Sequence, residues 1–336
     1  MRSNKTKLAF GLLISAIFLF LAFRKVDFVE MVRALETANY WYLIPGTVFM
    51  FLSLWFRAYR WGIFFRPLKP MRMKNLFSAL MVGYMANVIF PFKLGEFLRA
   101  YSIGKVENFS KVASFATIVV ERILDVITLL IFLGIALIFQ PFPAYVKTSG
   151  LIIFAVSGAA ILFLALLVIK TEATLRFYRK FAGLLSQRLA AKGEEILEAL
   201  LQGLLVLKSP RYYFITAVTS VLIWVFYVLI VHFVILAFGF HETFHVPFLA
   251  SVTVLVMTGI SVTVPSSPGY VGTYHFMVMQ GLAIYGVPSS DALSFAVVLH
   301  IYNMLPTTLL GLYYFTKQHL TLRNALEEEN AVEGGV

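Results

Sequence analysis

Residues 87–101 read NVIFPFKLGEFLRAY, and residues 261–275 read SVTVPSSPGYVGTYH. Both stretches interrupt apolar sequence with the spacing P-x-x-x-G. The helix-breaking residues are Pro91 and Gly95 in the first stretch and Pro265, Pro268 and Gly269 in the second. Proline lacks a backbone N–H and glycine adopts non-helical dihedral angles, so each stretch is predicted to break a helix. Lipid offers no water to the freed backbone groups, so such a break must be buried in protein or line a polar cavity.

The composition places the chain in a membrane. Hydrophobic residues make up 60% of it, charged residues 13%, and its mean hydropathy is +0.84. That is too little polar surface to cover a soluble domain, so we predict an all-α polytopic membrane protein. The net charge of +11 is attributed to membrane topology rather than to a nucleic-acid partner. No cysteine occurs, so no disulfide or thiolate metal site is possible, and no metal or cofactor is predicted.

The apolar segments predict the membrane spans. Because about 20 apolar residues cross a bilayer, full spans are predicted near 8–23, 40–64, 110–139, 149–170, 211–238 and 290–316. The first of these is expected to be retained as an anchor, since no A-x-A signal-peptidase site precedes Arg24. Residues 75–104 and 247–286 each contain two shorter apolar stretches separated by a break. They are predicted to form two re-entrant helical hairpins.

The basic residues predict the orientation. The spans assign 21 lysines and arginines to cytoplasmic stretches, Arg57 and Arg60 among them, and 4 to outside stretches. This asymmetry predicts a multi-pass protein of the inner (cytoplasmic) membrane with both termini in the cytoplasm. The first hairpin then enters from the cytoplasm and the second from outside.

Opposite entry of two similar hairpins predicts an inverted repeat. Repeat one covers about 40–139 and repeat two about 211–316, and aligning them on the prolines pairs Asn87 with Ser261. We assign residues 1–320 to a single transmembrane domain. An amphipathic cytoplasmic connector over about 171–208 joins the repeats, and a disordered tail covers 321–336.

Six charged residues fall within apolar segments: Lys93, Glu96, Arg99, Glu121, Arg122 and Asp125. Each would cost about 2.5–3.5 kcal/mol facing lipid at the membrane centre, so they are expected to face inward and pair. Glu121 and Asp125 share one helix face, which could receive Arg99 or Lys93. One interpretation is an internal salt-bridge network without a ligand. The sequence favours a substrate site, because positive charges stand beside a helix break whose amide groups also attract anions.

Arginine side chains match phosphate oxygens, so the predicted ligand is the headgroup of a phospholipid or a polyprenyl phosphate. The acidic residues could keep the site from binding an anion irreversibly. They could also bind a proton or the amine of a zwitterionic headgroup. The second repeat adds His275, His300 and Asn303, as structural residues or as candidates for proton coupling and headgroup contact. The predicted substrate-binding residues are Asn87, Lys93, Glu96, Arg99, Glu121, Arg122, Asp125, Ser266, Gly269, Gly272, His275 and Asn303.

Residues 241–245, HETFH, match the zinc-protease pattern H-E-x-x-H. The pattern needs two histidines one turn apart on a helix. Gly239 and Pro247 flank the segment, which favours a short loop, and no third ligand is evident. A pair of loop histidines is therefore the preferred interpretation.

Three motifs together resemble a known family. NVIFPFKLGEFLRAY, ERILD at 121–125 and PSSPGYVGTYH at 265–275 are similar, in order and spacing, to the lysylphosphatidylglycerol synthase transmembrane-domain family. This family is the flippase-like membrane portion of multiple peptide resistance factors, and the resemblance covers about 8–316. It implies an α-helical membrane protein associated with moving lipids between leaflets, aminoacylated phosphatidylglycerol in the best-known branch.

Two departures from the family pattern bear on function. We expect no soluble aminoacyl-transferase domain within these 336 residues, so lipid synthesis is not implied. Tyr270 and His275 stand where many members have a PGG-type turn and a glutamate, which leaves the substrate and the coupling ion open.

The function expected from the sequence is that of a non-enzymatic lipid translocase. No G-x-x-x-x-G-K-[ST] motif occurs, so transport is expected to be passive, proton-driven or driven by a partner. The expected partners are membrane lipids and a lipid-synthesising enzyme or glycosyltransferase, with the oligomeric state unassigned. The alternatives are a secondary transporter of a small soluble anion and a membrane-embedded transferase acting on a lipid carrier.

Overall fold

The computed structural model describes residues 2–90, 94–139, 147–148, 151–152, 154–159, 210–263 and 267–320. Every regular element among these residues is a helix. Three helices in the described part of the chain are long and apolar enough to cross a membrane: Lys111–Phe139, Phe214–Ala237 and Ser289–Lys317. The protein is therefore an all-α membrane protein, which confirms the predicted class.

Eleven α-helices of the described residues are named in chain order, α1 to α11. Those of the first half are α1 (Arg2–Phe23), α2 (Phe28–Thr37), α3 (Leu43–Phe65), α4 (Met73–Ile89), α5 (Gly95–Glu107) and α6 (Lys111–Phe139). Those of the second half are α7 (Pro210–Ala237), α8 (Phe240–Thr243), α9 (Ala250–Thr263), α10 (Thr273–Ala283) and α11 (Ser289–Lys317). Two 3₁₀ turns, Tyr40–Tyr42 and Pro268–Tyr270, lie between them.

Five predicted spans coincide with observed helices. The spans predicted at 110–139, 211–238 and 290–316 are α6, α7 and α11 to within one residue at each end. The span at 40–64 is the first 3₁₀ turn followed by α3, and the span at 8–23 lies within α1. The predicted connector and tail, and most of the span predicted at 149–170, lie outside the described residues.

Helix α2 was not predicted, although its start has a clear local cause. Its N-cap is Asp27, whose carboxylate accepts hydrogen bonds from the backbone N–H groups of Val29 at 2.8 Å and Glu30 at 3.3 Å. Capping of this kind satisfies amides that have no partner within the helix. The pattern D-x-x-E at 27–30 was therefore a readable signal for this helix.

Both segments predicted to break do so. Helix α4 ends at Ile89 and α5 begins at Gly95, while α9 ends at Thr263 and α10 begins at Thr273. In each segment the two helices pack against each other. The backbone of the second break is left-handed at Gly269 (φ 68°), Tyr270 (φ 59°) and Gly272 (φ 93°). Pro91, Lys93, Pro265 and Ser266 lie outside the described residues.

Gly95 allows α5 to lie almost in backbone contact with α4. A Cβ atom added to Gly95 would be 2.1 Å from the carbonyl oxygen of Gly83 and 2.4 Å from the side chain of Asn87. Such close crossings are typical of small residues in membrane helices, because dispersion forces grow as backbones approach. Gly95 therefore sets the position of the start of α5, where Glu96 and Arg99 lie.

The two breaks lie side by side. A Cβ atom added to Gly269 would be 3.7 Å from the carbonyl oxygen of Val88, at the end of α4. The turn Pro268–Tyr270 also packs against α4. The fold thus brings the ends of four short helices to one place.

Candidate functional site

A buried cluster of ionised side chains joins α3, α5 and α6 near the first break. It consists of Arg57, Arg60, Arg99, Arg122, Glu96, Glu121 and Asp125, and it is called the arginine–carboxylate cluster below. Four positive charges face three negative charges, so the net charge of these residues is +1. A surplus of positive charge inside an apolar protein attracts anions strongly, because the surrounding medium screens it poorly.

Glu121 is the centre of the cluster. Its side chain is fully buried, and its oxygens accept hydrogen bonds from Arg57 Nε at 2.9 Å, Arg99 Nη2 at 2.6 Å and Arg122 Nη2 at 2.7 Å. A buried carboxylate is stable only when its charge is compensated by such contacts. The contact between Glu121 and Arg99 that the sequence led us to expect is present. It links α6 to α5, which packs on α4.

Asp125 lies one turn further along α6 and faces α3. Its two oxygens accept hydrogen bonds from Arg57 Nη2 and Arg60 Nη2, each at 2.5 Å. The same two arginines also donate to α7, where Arg57 Nη1 is 2.8 Å from the hydroxyl of Tyr227 and Arg60 Nη1 is 2.9 Å from Ser220 Oγ. These contacts hold α3, α6 and α7 together.

Arg57 and Arg60 correct the sequence interpretation. They had been assigned to a cytoplasmic basic stretch, but they lie inside α3 with exposures of 5% and 0%. Removing both lowers the count of cytoplasmic basic residues from 21 to 19, which leaves the direction of the charge asymmetry unchanged. The available signal was their spacing of three residues within the apolar segment 43–65, since such a pair lies on one helix face.

Arg99 lies over an aromatic ring. Its guanidinium carbon is 3.8 Å from the centre of the Trp61 ring, a cation–π contact. The ring is fixed in turn, because Trp61 Nε1 donates a hydrogen bond to Thr117 Oγ1 at 3.0 Å. Arg99 is 2% exposed, and its Nε has no hydrogen-bond partner among the described residues. The site therefore holds a buried N–H donor that is free to donate a hydrogen bond to a ligand oxygen.

Exposure divides the cluster into a closed and an open side. The side chains of Arg57, Arg60, Arg99 and Glu121 are at most 7% exposed, whereas Arg122 is 40% and Glu96 is 23% exposed. The Nε of Arg122 is 3.7 Å from Glu96 Oε1, which is an ion-pair distance but too long for a hydrogen bond. Arg122 and Glu96 therefore form the side through which a ligand would reach the cluster.

Asn87 closes the first break. Its Oδ1 accepts a hydrogen bond from the backbone N–H of Gly95 at 2.9 Å, which satisfies the first free amide of α5. The corresponding Ser261 bonds instead to the carbonyl oxygen of Thr258 on its own helix, at 2.7 Å. The two positions are thus both polar, but their hydrogen bonds differ.

The histidines predicted in the second half of the chain, His275 and His300, lie in a separate aromatic group. The rings of His275 and His300 are 5.0 Å apart, and Tyr274 stacks on His300 at 4.4 Å. His275 Nδ1 accepts the backbone N–H of Gly272 at 3.4 Å, and Asn303 donates to the carbonyl oxygen of Leu299 on its own helix. Within the described residues, neither His275 nor Asn303 bonds to the arginine–carboxylate cluster. Their roles in binding stay predictions.

The H-E-x-x-H segment does not adopt the zinc-protease geometry. Helix α8 ends at Thr243, and His245 has a left-handed backbone (φ 51°), so the two histidines are not on one helix. His241 instead lies 3.4 Å from the neighbouring Glu242. No three histidine, aspartate or glutamate side chains of the described residues are placed to hold a metal ion.

The fold and the cluster define the class: a multi-helix membrane protein with an ion-paired polar site beside two helix breaks. The chain belongs to the family described as Lysylphosphatidylglycerol synthase TM region, whose model matches residues 8–311. This membership confirms the resemblance drawn from the three motifs. No solved structure matches the chain.

Curated relatives share this membrane region. A UPF0104 membrane protein of Methanothermobacter thermautotrophicus is 27% identical over 80% of this chain and 83% of its own length. A second UPF0104 membrane protein, from Methanocaldococcus jannaschii, is 30% identical over 39% of this chain and 40% of its own. Glycosyltransferase AglD of Haloferax volcanii is 24% identical over 98% of this chain. The chain spans only 57% of AglD, so the match covers part of that enzyme.

Proposed function

We propose that the protein is a non-enzymatic lipid translocase, which moves an anionic phospholipid or a polyprenyl-phosphate-linked lipid between the leaflets of the cytoplasmic membrane. The observation that carries the proposal is the partly exposed Arg122, at the open side of a buried cluster with a net charge of +1. Family membership supports a lipid-related role. In this role Arg122 and Arg99 hold the phosphate of the headgroup.

The physical barrier to lipid exchange is the transfer of a charged headgroup through hydrocarbon. An unpaired charge in a medium of low dielectric constant is costly, so spontaneous exchange is slow. A cationic site lowers that cost by replacing the water around the phosphate with guanidinium N–H groups. The amide groups at the start of α5 add partial positive charge at the same place. The lipid tails would stay in the bilayer, so the site handles only the headgroup.

The pairing of the helices supports the inverted repeat that this proposal includes. If α3, α4, α5 and α6 correspond to α7, α9, α10 and α11, each packed pair in the first half has a counterpart in the second. The pairs α3–α4, α4–α5 and α5–α6 match α7–α9, α9–α10 and α10–α11. Across the halves, α4 packs on α11 as α6 packs on α9, and α3 packs on α7.

The lengths of the broken helices support re-entrant hairpins. With 17, 13, 14 and 11 residues, α4, α5, α9 and α10 are about 26, 20, 21 and 17 Å long at 1.5 Å per residue. Each is shorter than the roughly 30 Å of a hydrocarbon core. We therefore propose that both hairpins turn back near mid-membrane, the first entering from the cytoplasm and the second from outside, with both termini cytoplasmic.

The match to AglD favours a second candidate, a membrane-embedded transferase or the membrane partner of one. AglD is named a glycosyltransferase, and this chain aligns with just over half of it. Glycosyl transfer to a lipid carrier needs the same phosphate recognition as lipid exchange. The two candidates differ in their product, because a transferase changes the headgroup whereas a translocase returns the lipid unchanged.

Lipid exchange is tested in vesicles that contain the purified protein and fluorescent phosphatidylglycerol or phosphatidylcholine. A membrane-impermeant reductant bleaches the outer leaflet, and the slow phase of bleaching reports exchange. We expect the protein to accelerate exchange of phosphatidylglycerol. We expect Arg122→Ala to slow that exchange more than it slows exchange of phosphatidylcholine. Arg33→Ala is the matched control, because Arg33 lies exposed on α2, outside the cluster.

The outcomes separate the candidates. Exchange at the rate of empty vesicles, across several anionic lipids and with a proton gradient imposed, would contradict the translocase and favour a transporter of a soluble anion. Mass spectrometry of the recovered lipids, with and without added sugar nucleotide, tests the transferase. A modified headgroup that Arg122→Ala abolishes would assign enzyme activity to the chain.

A further inference from the structure

We propose that the carboxylate of Glu96 occupies the place of the substrate phosphate on Arg122 in the free protein, and that a singly charged phosphodiester headgroup displaces it. This inference rests on the proposed function and adds to it a substrate class and a step that couples binding to movement. Glu96 would thus act as a built-in competitor for the lipid.

The Glu96–Arg122 and Arg60–Glu121 contacts, each 3.7 Å long, are the longest ion pairs of the cluster. Each of the other three arginines has a carboxylate oxygen within 2.9 Å, and Arg122 Nη2 is 2.7 Å from Glu121. The distance from Arg122 Nε to Glu96 is 3.7 Å, and this Nε has no hydrogen-bond partner in the described part of the chain. A phosphate oxygen at hydrogen-bond distance would therefore bind Arg122 better than Glu96 does.

Glu96 can leave without stranding a buried charge. Its side chain is 23% exposed, and Arg122 is the one cation with which it forms an ion pair among the described residues. Glu121 differs, because it is fully buried and bonded to three arginines. Of the carboxylates in the cluster, Glu96 is thus the one that can exchange with a ligand at low cost.

The charge balance favours a phosphodiester. The cluster without Glu96 has four arginines and two carboxylates, a net charge of +2. One phosphodiester carries a single negative charge and restores the +1 of the free site. A phosphate monoester or a diphosphate brings a larger charge and would change the balance of the buried groups. An exchange of one charge for one charge leaves the other buried ion pairs undisturbed.

Displacement of Glu96 would loosen the attachment of α5 to α6, which Arg99 and Glu121 still join. Glu96 lies in the first turn of α5, next to Gly95, whose backbone N–H bonds to Asn87. Loss of the ion pair therefore removes a link between α5 and α6 at the point where both breaks meet. Binding of the headgroup would shift the population toward states in which the hairpin has moved.

Binding of short-chain phosphatidylglycerol to the full-length protein in detergent tests whether the headgroup displaces Glu96 from Arg122. We expect Glu96→Gln to bind this lipid more tightly than wild type, on the order of tenfold, which lies within the usual range of coupling between sites. Leaflet exchange by this variant should not exceed that of wild type, because the headgroup is released more slowly. Glu96→Ala should show the same sign, and Glu36→Gln on the exposed surface of α2 is the matched control.

Equal or weaker binding of phosphatidylglycerol by both Glu96 variants would overturn the inference, even if wild type exchanges lipids. Exchange no faster than in empty vesicles would overturn the proposed function itself. Inorganic phosphate and short-chain phosphatidic acid are titrated in parallel. If Glu96→Gln tightens the binding of inorganic phosphate but not of phosphatidylglycerol, the ligand is a soluble anion. If Glu96→Gln tightens the binding of phosphatidic acid more than that of phosphatidylglycerol, the assignment to a phosphodiester is wrong.

Discussion

Replacing Glu121 by glutamine tests whether the cluster holds the fold together. The change removes the negative charge that three arginines contact at 2.6–2.9 Å in a fully buried site. The four arginines then face two carboxylates, so the net charge of the cluster rises from +1 to +2. Loss of one partner of a buried pair typically costs about 3–5 kcal/mol, because the remaining charge is left without compensation. We expect Glu121→Gln to lower the free energy of unfolding by about that amount.

The measurement is reversible unfolding in mixed micelles, followed by tryptophan fluorescence. Glu36→Gln on the exposed surface of α2 is the control, and we expect it to change the free energy of unfolding by less than about 0.5 kcal/mol. The double variant Glu121→Gln, Arg99→Gln restores a net charge of +1. The free energy of unfolding lost by the double variant should be about 0.5–3 kcal/mol smaller than the sum of the losses of the two single variants, which is the usual coupling of residues in contact. A loss below about 1 kcal/mol for Glu121→Gln would refute the assignment of a compensated buried charge.

Two further predictions concern the first hairpin. Gly95→Ala places a methyl group 2.1 Å from the carbonyl oxygen of Gly83; we expect the thermal unfolding temperature and lipid exchange both to fall, since overpacking costs about 1–3 kcal/mol or more. Gly158→Ala, whose added atom meets no described residue within 4 Å, should leave the unfolding temperature and lipid exchange nearly unchanged. Burial acts to raise the pKa of Glu107 at the end of α5, but hydrogen bonds from Asn75 and Arg72 outweigh it and hold the pKa below the ordinary 4.5. The stabilisation from Glu107 is therefore present above pH 4.5 and is lost as the pH falls through the lower, folded value. Wild type should be more stable than Glu107→Gln at pH 7, and that advantage should shrink below pH 4.5; an advantage that does not change with pH would contradict it.

The sequence predicted most helices because their causes are local. A membrane span needs about 20 apolar residues, and α6, α7 and α11 have that length and composition. The breaks were equally readable, since glycine and proline act on the backbone at their own positions. The bounds of α5 follow from such local features, because it begins at Gly95 and ends before Asn108, which has a left-handed backbone.

The partners within the site were harder to predict, because they come from distant parts of the chain. Glu121 and Asp125 could be placed on one face from their spacing alone. Their main partners on α3, Arg57 and Arg60, are more than 60 positions away. A basic residue near the end of an apolar segment fits two environments, the cytoplasmic surface and a buried ion pair. Which of them applies depends on a packing contact between helices that the sequence pattern does not contain.

The same contacts bear on whether the cluster is a structural network or a binding site. Arg57 and Arg60 donate hydrogen bonds to Asp125 and to hydroxyl groups of α7, and Arg57 also donates to Glu121, so both are fixed on the closed side of the cluster. A purely structural network would pair every buried donor, because an unpaired buried donor costs free energy without return. The cluster departs from that pattern, since the Nε atoms of Arg60, Arg99 and Arg122 have no acceptor among the described residues. Of these three arginines, only Arg122 lies on the open side, with its side chain 40% exposed. The closed side thus fixes the geometry, and Arg122 keeps a donor for a phosphate on the open side.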